Sequence, residues 1–296
     1  KIIPYNLISI FRSIFFTLFL LFSLVMLKLS VPVAIWLWFY SCVCVCLLSV
    51  WLTVRQIPDL KFRIDIAIFT ESTKTGIRVF LLTAISFLVM RVDFFIIQYF
   101  KGAESVGYYS ISVLIAEMLF FVPQILGQLI LPKGSAQEAA SSLLTLRVNR
   151  ITVAYSFLTS FIILLFVRPI LLIFFGRSYL EAQQSVLLLL PGIIALNSVS
   201  TMSFYICGKE GYPKKIILAM LAGLIINVCL NILFIPRFSI NGSAIASSLA
   251  YMASAALCLN YFYYQQGIRL SDLLLLKSDD VLILKGKIKM LLSRKK

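Results

Sequence analysis

The chain has no histidine, and only 12 of its 296 residues are acidic. Without histidine, Ser-His-Asp and Cys-His catalysis and His-ligated zinc are excluded. A phosphate-cradling G-x-x-x-x-G-K-[ST] run is missing too, and no loop is long enough to hold a nucleotide-hydrolysing domain. If this protein moves a solute, its own ATP hydrolysis does not drive the movement. Charge of either sign is scarce at 13% of residues, about half the share of an ordinary soluble domain.

What fills the chain instead is apolar: 61% of residues, against roughly 45–50% in soluble domains. Such a composition cannot cover a water-facing surface without large apolar patches. The apolar residues come in blocks of about twenty, the length that spans a bilayer as helix. The fold class is therefore all-α integral membrane, with about eight transmembrane helices. They are expected near 9–27, 33–54, 76–100, 107–131, 151–174, 184–206, 216–235 and 243–264. Pro123 and Pro191 read as kinks, because neighbouring helices can satisfy the backbone groups a proline frees.

Six cysteines, Cys42, Cys44, Cys46, Cys207, Cys229 and Cys258, all lie inside apolar stretches, where free Cys behaves as a small hydrophobe. The C-x-C-x-C run suggests soft-metal capture at first. On a helix, however, only Cys42 and Cys46 share a face. Neither a disulfide framework nor a metal or organic cofactor is implied.

The net charge of +15 invites a nucleic-acid partner, but the basic residues sit in the loops between spans. If spans alternate from a cytoplasmic N-terminus, 21 Lys and Arg fall on the cytoplasmic side, 5 on the other, and Arg91 inside a span. That bias is what the positive-inside rule demands, and it predicts both termini cytoplasmic. No nucleic acid is needed to explain it.

The longest internal connection, 55–75, is polar and reads as the border between two helical bundles. The tail, 267–296, mixes apolar runs with Lys285, Lys287, Lys289, Arg294, Lys295 and Lys296. That composition suits either a helix lying on an anionic leaflet or a solvated basic tail. The first residue is Lys rather than Met, so the chain reads as the back portion of something longer.

Three ionisable residues inside spans carry the functional signal: Arg91, Asp93 and Glu117. Each costs about 3 kcal/mol at mid-membrane unless paired or hydrated. They either line a polar cavity for an ionic substrate or coupling ion, or form an internal ion pair that fixes helix packing. Counting from the turn between their spans puts Arg91 and Glu117 at matching depth, about 13 and 15 Å below the surface. Asp93, two residues from Arg91, faces elsewhere. Gln98, Gln124, Gln128, Asn197, Asn227 and Asn231 fit interhelical hydrogen bonding.

From Arg91 onward the chain resembles the polysaccharide-transporter branch of the multidrug/oligosaccharidyl-lipid/polysaccharide exporter superfamily, the Wzx-type O-antigen flippases. The matching pieces are Asp93, the V-G-Y-Y run Val106 to Tyr109, Pro132, and F-G-x-x-Y at Phe175 to Tyr179. Gly208 and Lys209 follow, then Ile235-Pro236 and G-x-A-I-A at Gly242 to Ala246. The resemblance implies two six-helix lobes around a central cavity that opens alternately to either side. Residues 1–54 would be the last two helices of the N-terminal lobe, and 76–266 the complete C-terminal lobe. It implies a bacterial inner-membrane transporter of undecaprenyl-pyrophosphate-linked oligosaccharide for O-antigen, lipopolysaccharide or capsule biosynthesis. Membrane lipids and a coupling ion, proton or sodium, would be the other partners. A multidrug or cation antiporter of the same superfamily is the alternative, and it would favour an acidic cavity without an arginine. A membrane-embedded glycosyltransferase or ligase would need a long carboxylate-rich loop, so no enzyme is expected.

Overall fold

The computed structural model describes residues 31–55, 65–135, 139–277 and 280, together with 14, 16–18 and 21. Every regular element among them is helical: α1 (Val31–Arg55), α2 (Ile66–Ala116), α3 (Phe121–Ser135), α4 (Ala139–Phe174), α5 (Ala182–Glu210), α6 (Lys214–Gln266) and α7 (Leu270–Leu274). Two 3-10 turns, Glu117–Phe120 and Arg177–Glu181, join α2 to α3 and lead into α5. The chain divides into two compact units, Lys1–Phe69 and Thr70–Lys296.

Four helical runs among the described residues are long and apolar enough to cross a membrane. They are Ile66–Pro132, Leu143–Phe174, Arg177–Glu210 and Lys214–Tyr264. The hydropathy blocks predict eight crossings. The first expected span, 9–27, lies almost wholly outside the described residues, as does the basic end of the tail. The second falls on α1, a helix of 25 residues that carries the apolar stretch Ile35–Trp51.

The first and last runs hold 67 and 51 residues, far more than the ~20 that one crossing needs. Both double back. In α2 the reversal is at Gly102, whose φ of 82° and ψ of 178° are open to glycine alone. Asp93 and Tyr109 would stand about 24 Å apart along a straight helix, yet their side chains meet at 2.6 Å. In α6 the break is at Ser239, with φ of 53°, just after Pro236, which cannot donate to the helical ladder. Gly242 lets the two arms close: a Cβ there would strike the Phe234 carbonyl oxygen.

The connection expected over 55–75 is shorter than its polarity suggests. Asp65 caps α2 through its carboxylate, which accepts from the backbone N–H groups of Ala67 at 2.9 Å and Ile68 at 3.3 Å. Helix thus begins at Ile66, although Glu71 and Lys74 make its first turns polar. Just before Pro123, where a kink is expected, the helix tightens into the 3-10 turn Glu117–Phe120, with right-handed helical backbone at Ala116 and Phe121 on either side. Pro191 stays inside α5.

Packing in the second unit forms two clusters. One gathers Val89, Ile97, Tyr109, Leu171 and Ile193 near the Gly102 end. The other gathers Ile130, Met202, Ile206, Phe262 and Leu273 toward the opposite end. Small residues set the closest approaches, as at Gly192, whose missing side chain leaves room for Ser248. Helices in lipid gain little from apolar burial, so such close contacts and interhelical hydrogen bonds hold them together. The outward faces remain apolar, with Phe95, Phe121, Phe157, Phe161 and Ile173 all exposed.

Candidate functional site

The hairpin of α2 brings the three intramembrane ionisable residues together and separates their roles. Arg91 Nη2 donates to Glu117 Oε2 at 2.9 Å, with side chains 35% and 27% exposed. The guanidinium also lies over the Phe94 ring, 5.6 Å from its centroid. The pair is the one that equal depth predicted. The pair is partly exposed, and Arg91 Nη1 also donates to the Met90 carbonyl at 3.5 Å.

Asp93 points inward and is 1% exposed. Its carboxylate accepts from the Tyr109 hydroxyl at 2.6 Å, from Ser247 Oγ at 3.1 Å and from the Phe94 backbone N–H at 3.0 Å. Three donors offset much of the cost of burying an anion. Asp93 therefore does not share the half-open setting of Arg91 and Glu117. Tyr109 and Ser247 come from the second arms of α2 and α6, so the carboxylate ties the two hairpins together.

The network extends along the first arm of α6. Asn227 Nδ2 donates to the Val89 carbonyl at 3.1 Å and to Ser247 Oγ at 3.4 Å. Asn231 Nδ2 donates to the Asn227 carbonyl at 2.9 Å and also reaches Asn227 Oδ1. Asn231 Oδ1 is buried and has no partner among the described residues. Asn197 plays the packing role expected of it, donating to the Leu119 carbonyl and to Ser156 Oγ, both at 3.0 Å.

The motifs singled out in the sequence converge at the turn end of the unit. Tyr108 and Tyr179 meet edge to face at 5.5 Å, joining the V-G-Y-Y and F-G-x-x-Y runs. Gly176, at φ of 90°, lets the chain leave α4 for that contact. Lys101 Nζ donates to the Pro236 carbonyl at 3.2 Å, fastening the α2 turn to the α6 turn.

A cavity of about 220 Å³ lies elsewhere, lined in part by Ser86, Met90, Gln124, Ser203, Phe204 and Tyr212. Arg91, Asp93 and Glu117 are not among its walls. Of the residues marked by the sequence, Gln124 and Cys207 line it, the first marked as a helix-packing group and the second as a small hydrophobe. Among the described residues no group of three or more His, Cys, Asp or Glu could hold a metal. Cys44 and Cys46 are exposed and Cys42 is half-buried, each with a free thiol.

The opposite end carries a site that the sequence did not reveal. Asp280, 1% exposed, accepts from Arg150 Nε at 2.6 Å and Nη2 at 2.9 Å, and from Arg147 Nε at 3.0 Å. Arg150 Nη1 donates to the Asp272 carbonyl at 2.7 Å, and Asn149 to the Leu273 carbonyl at 3.1 Å. The paired guanidinium of Arg150 holds the Asp280 carboxyl down to about 2. The partners stand 130 residues apart, beyond the reach of any spacing rule.

A comparison with curated proteins gives no match. The family model described as polysaccharide biosynthesis protein matches residues 5–184. That range takes in the first two expected spans, Arg91, Asp93, Glu117 and both tyrosine motifs, and stops short of the I-P and G-x-A-I-A pieces. It covers more than half of a multi-helix chain whose apolar runs suit a multi-pass membrane protein. The chain belongs to the family of polysaccharide biosynthesis proteins.

Proposed function

We propose that the protein exports saccharide across the bacterial inner membrane as a flippase for undecaprenyl-pyrophosphate-linked oligosaccharide of the O-antigen or capsule type. The observation that carries this reading is the half-open Arg91–Glu117 pair within otherwise apolar helices. A sugar chain and a pyrophosphate cannot cross hydrocarbon unaided, and a hydrated path past the midplane needs a group to meet the anion. The planar fork of arginine suits a pyrophosphate, and Glu117 holds that fork while no substrate is bound.

In this reading the doubled-back runs of α2 and α6 each cross twice. The second unit then supplies six crossings and corresponds to the C-terminal lobe of a Wzx-type transporter. Residues 1–54 supply two more, and both termini are cytoplasmic. Arg91 and Glu117 face the cavity that opens alternately to either side.

Asp93 is our candidate for coupling to a proton or a sodium ion. Its carboxylate is buried between the two hairpins, with the hydroxyl oxygens of Tyr109 and Ser247 against it. Oxygen donors of this kind suit a hard monovalent cation. The protein performs no bond-making step in this account.

The test is export in living cells. Depleting the protein should leave lipid-linked saccharide complete but confined to the cytoplasmic leaflet, with surface polysaccharide lost. If the lipid-linked saccharide is instead missing or truncated, the protein acts in synthesis rather than export.

A further inference from the structure

A second, larger cavity of about 810 Å³ runs between α4 and α5, and neither Arg91 nor Glu117 is among its walls. Its α4 wall is Val153, Phe157, Ser160, Phe161 and Leu164; its α5 wall includes Leu187, Pro191 and Ile194. Val153 to Leu164 extends about 16 Å along the helix. Phe157, Phe161 and Leu164 are all more than half exposed, so the groove opens sideways into the bilayer. Leu274 and Leu275, at the end of α7, close one end.

That closed end is also the charged end. At helical spacing, Arg147 and Arg150 continue the stripe of Val153, Phe157, Phe161 and Leu164 on one face of α4. Asp280 takes Nε and Nη2 of Arg150, whose Nη1 goes to the Asp272 carbonyl, but among the described residues it engages only Nε of Arg147. The Arg147 side chain is 36% exposed. Arg269 and Lys277 flank α7 and are exposed, with Lys277 Nζ on Asp272 at 2.6 Å. Among the described residues, four cations against two carboxylates leave this mouth positive, at the end of the apolar groove.

We propose that the groove and Arg147 together bind one anionic phospholipid of the adjoining leaflet. One acyl chain lies between α4 and α5, and the phosphate meets the free nitrogens of Arg147. Depth, apolar walls and the charge of the mouth all match that occupant. A zwitterionic lipid would fill the groove without using the charge. Asp280 serves as an internal anion that holds Arg150 in place and takes Nε of Arg147, leaving the terminal nitrogens of Arg147 to the lipid.

The test places a tryptophan in the groove of the full-length chain, Phe161→Trp, with Trp36, Trp38 and Trp51 replaced by Phe. The protein is reconstituted in vesicles of phosphatidylcholine doped with brominated-chain phosphatidylglycerol or brominated-chain phosphatidylcholine. The phosphatidylglycerol should quench at roughly fivefold lower content, as one interfacial arginine allows. Arg147→Gln should remove that preference while leaving Arg150 and Asp280 paired. A control tryptophan at Phe166, off the groove face of α4, should show no preference. Equal quenching by both lipids at Phe161→Trp would overturn the proposal. Relief of quenching by an equimolar polyprenyl phosphate would overturn it too, assigning the groove to a transported lipid instead.

Discussion

Tyr109 donates its hydroxyl to Asp93 at 2.6 Å, joining the two arms of one reversed helix through a carboxylate that is 1% exposed. Each residue belongs to a different piece of the sequence pattern, nine positions before and seven after Gly102, where the hairpin turns. The turn sets their register, and the hydrogen bond fixes it.

Removing one donor from that carboxylate should be felt unequally. Tyr109→Phe withdraws the shorter bond and Ser247→Ala the longer one, at 3.1 Å. Thermal unfolding in detergent should show the tyrosine variant to be less stable, by about 1–3 kcal/mol, because that buried carboxylate oxygen keeps only the longer bond from Ser247. Ser247→Ala should cost about half as much. Equal losses would mean that the tyrosine ring, not its hydroxyl, holds the site.

Two glycines from the recognised motifs should behave in opposite ways. A Cβ at Gly107 meets nothing within 4 Å, whereas one at Gly242 runs into the backbone of Phe234. Gly107→Ala should therefore leave expression and melting temperature unchanged or slightly raised. Gly242→Ala should destabilise by about 1–3 kcal/mol, since backbone cannot rotate away as a side chain can. Melting curves of the two variants decide it.

The Asp280 fastening should resist acid. Its carboxyl is held down at about 2, below the ~3.9 of an unfolded aspartate. The charged form is thus favoured by folding. Its stabilisation is complete above the unfolded value and is lost as pH falls through about 2. Protease cleavage within 270–280 should stay slow from pH 7 down to about 4.5. It should accelerate at neutral pH in Arg150→Ala, which strands a buried carboxylate. Opening between pH 7 and 5 would contradict the pairing.

The basic bias predicts sidedness. In a cysteine-free background, a cysteine placed at 103 should react with a membrane-impermeant thiol reagent from outside intact cells. One at 211 should react only after permeabilisation. The reverse pattern would invert the orientation.

Much of this was written in local periodicity. Hydropathy blocks locate both arms of α2 and α6, because the turns at Gly102 and Ser239 interrupt apolar runs of membrane length. Counting rise per residue from the first turn pairs Arg91 with Glu117 and turns Asp93 away from both. The partners of Asp93 were less legible: Tyr109 was visible only as part of a motif, and Ser247, 154 residues away, gave no signal. Helix-to-helix register depends on which small residues let backbones approach, as Gly192 does for Ser248, and no one-dimensional rule supplies that. Asp280 stood unnoticed in a polar tail for the same reason. A single carboxylate among surface charges looks solvated until the fold places two arginines beside it.

The central claim is that Arg91 meets a transported anion and that Glu117 holds its place. The most direct measurement is export of lipid-linked saccharide to the cell surface by Arg91→Ala/Glu117→Ala, compared with each single variant and with Arg91→Lys at matched protein levels. The account predicts a double variant that folds and inserts normally yet exports nothing, with partial export by Arg91→Lys, which keeps the charge but loses the fork. Export restored to normal in the double variant would show that the pair serves helix packing alone, and would contradict the claim.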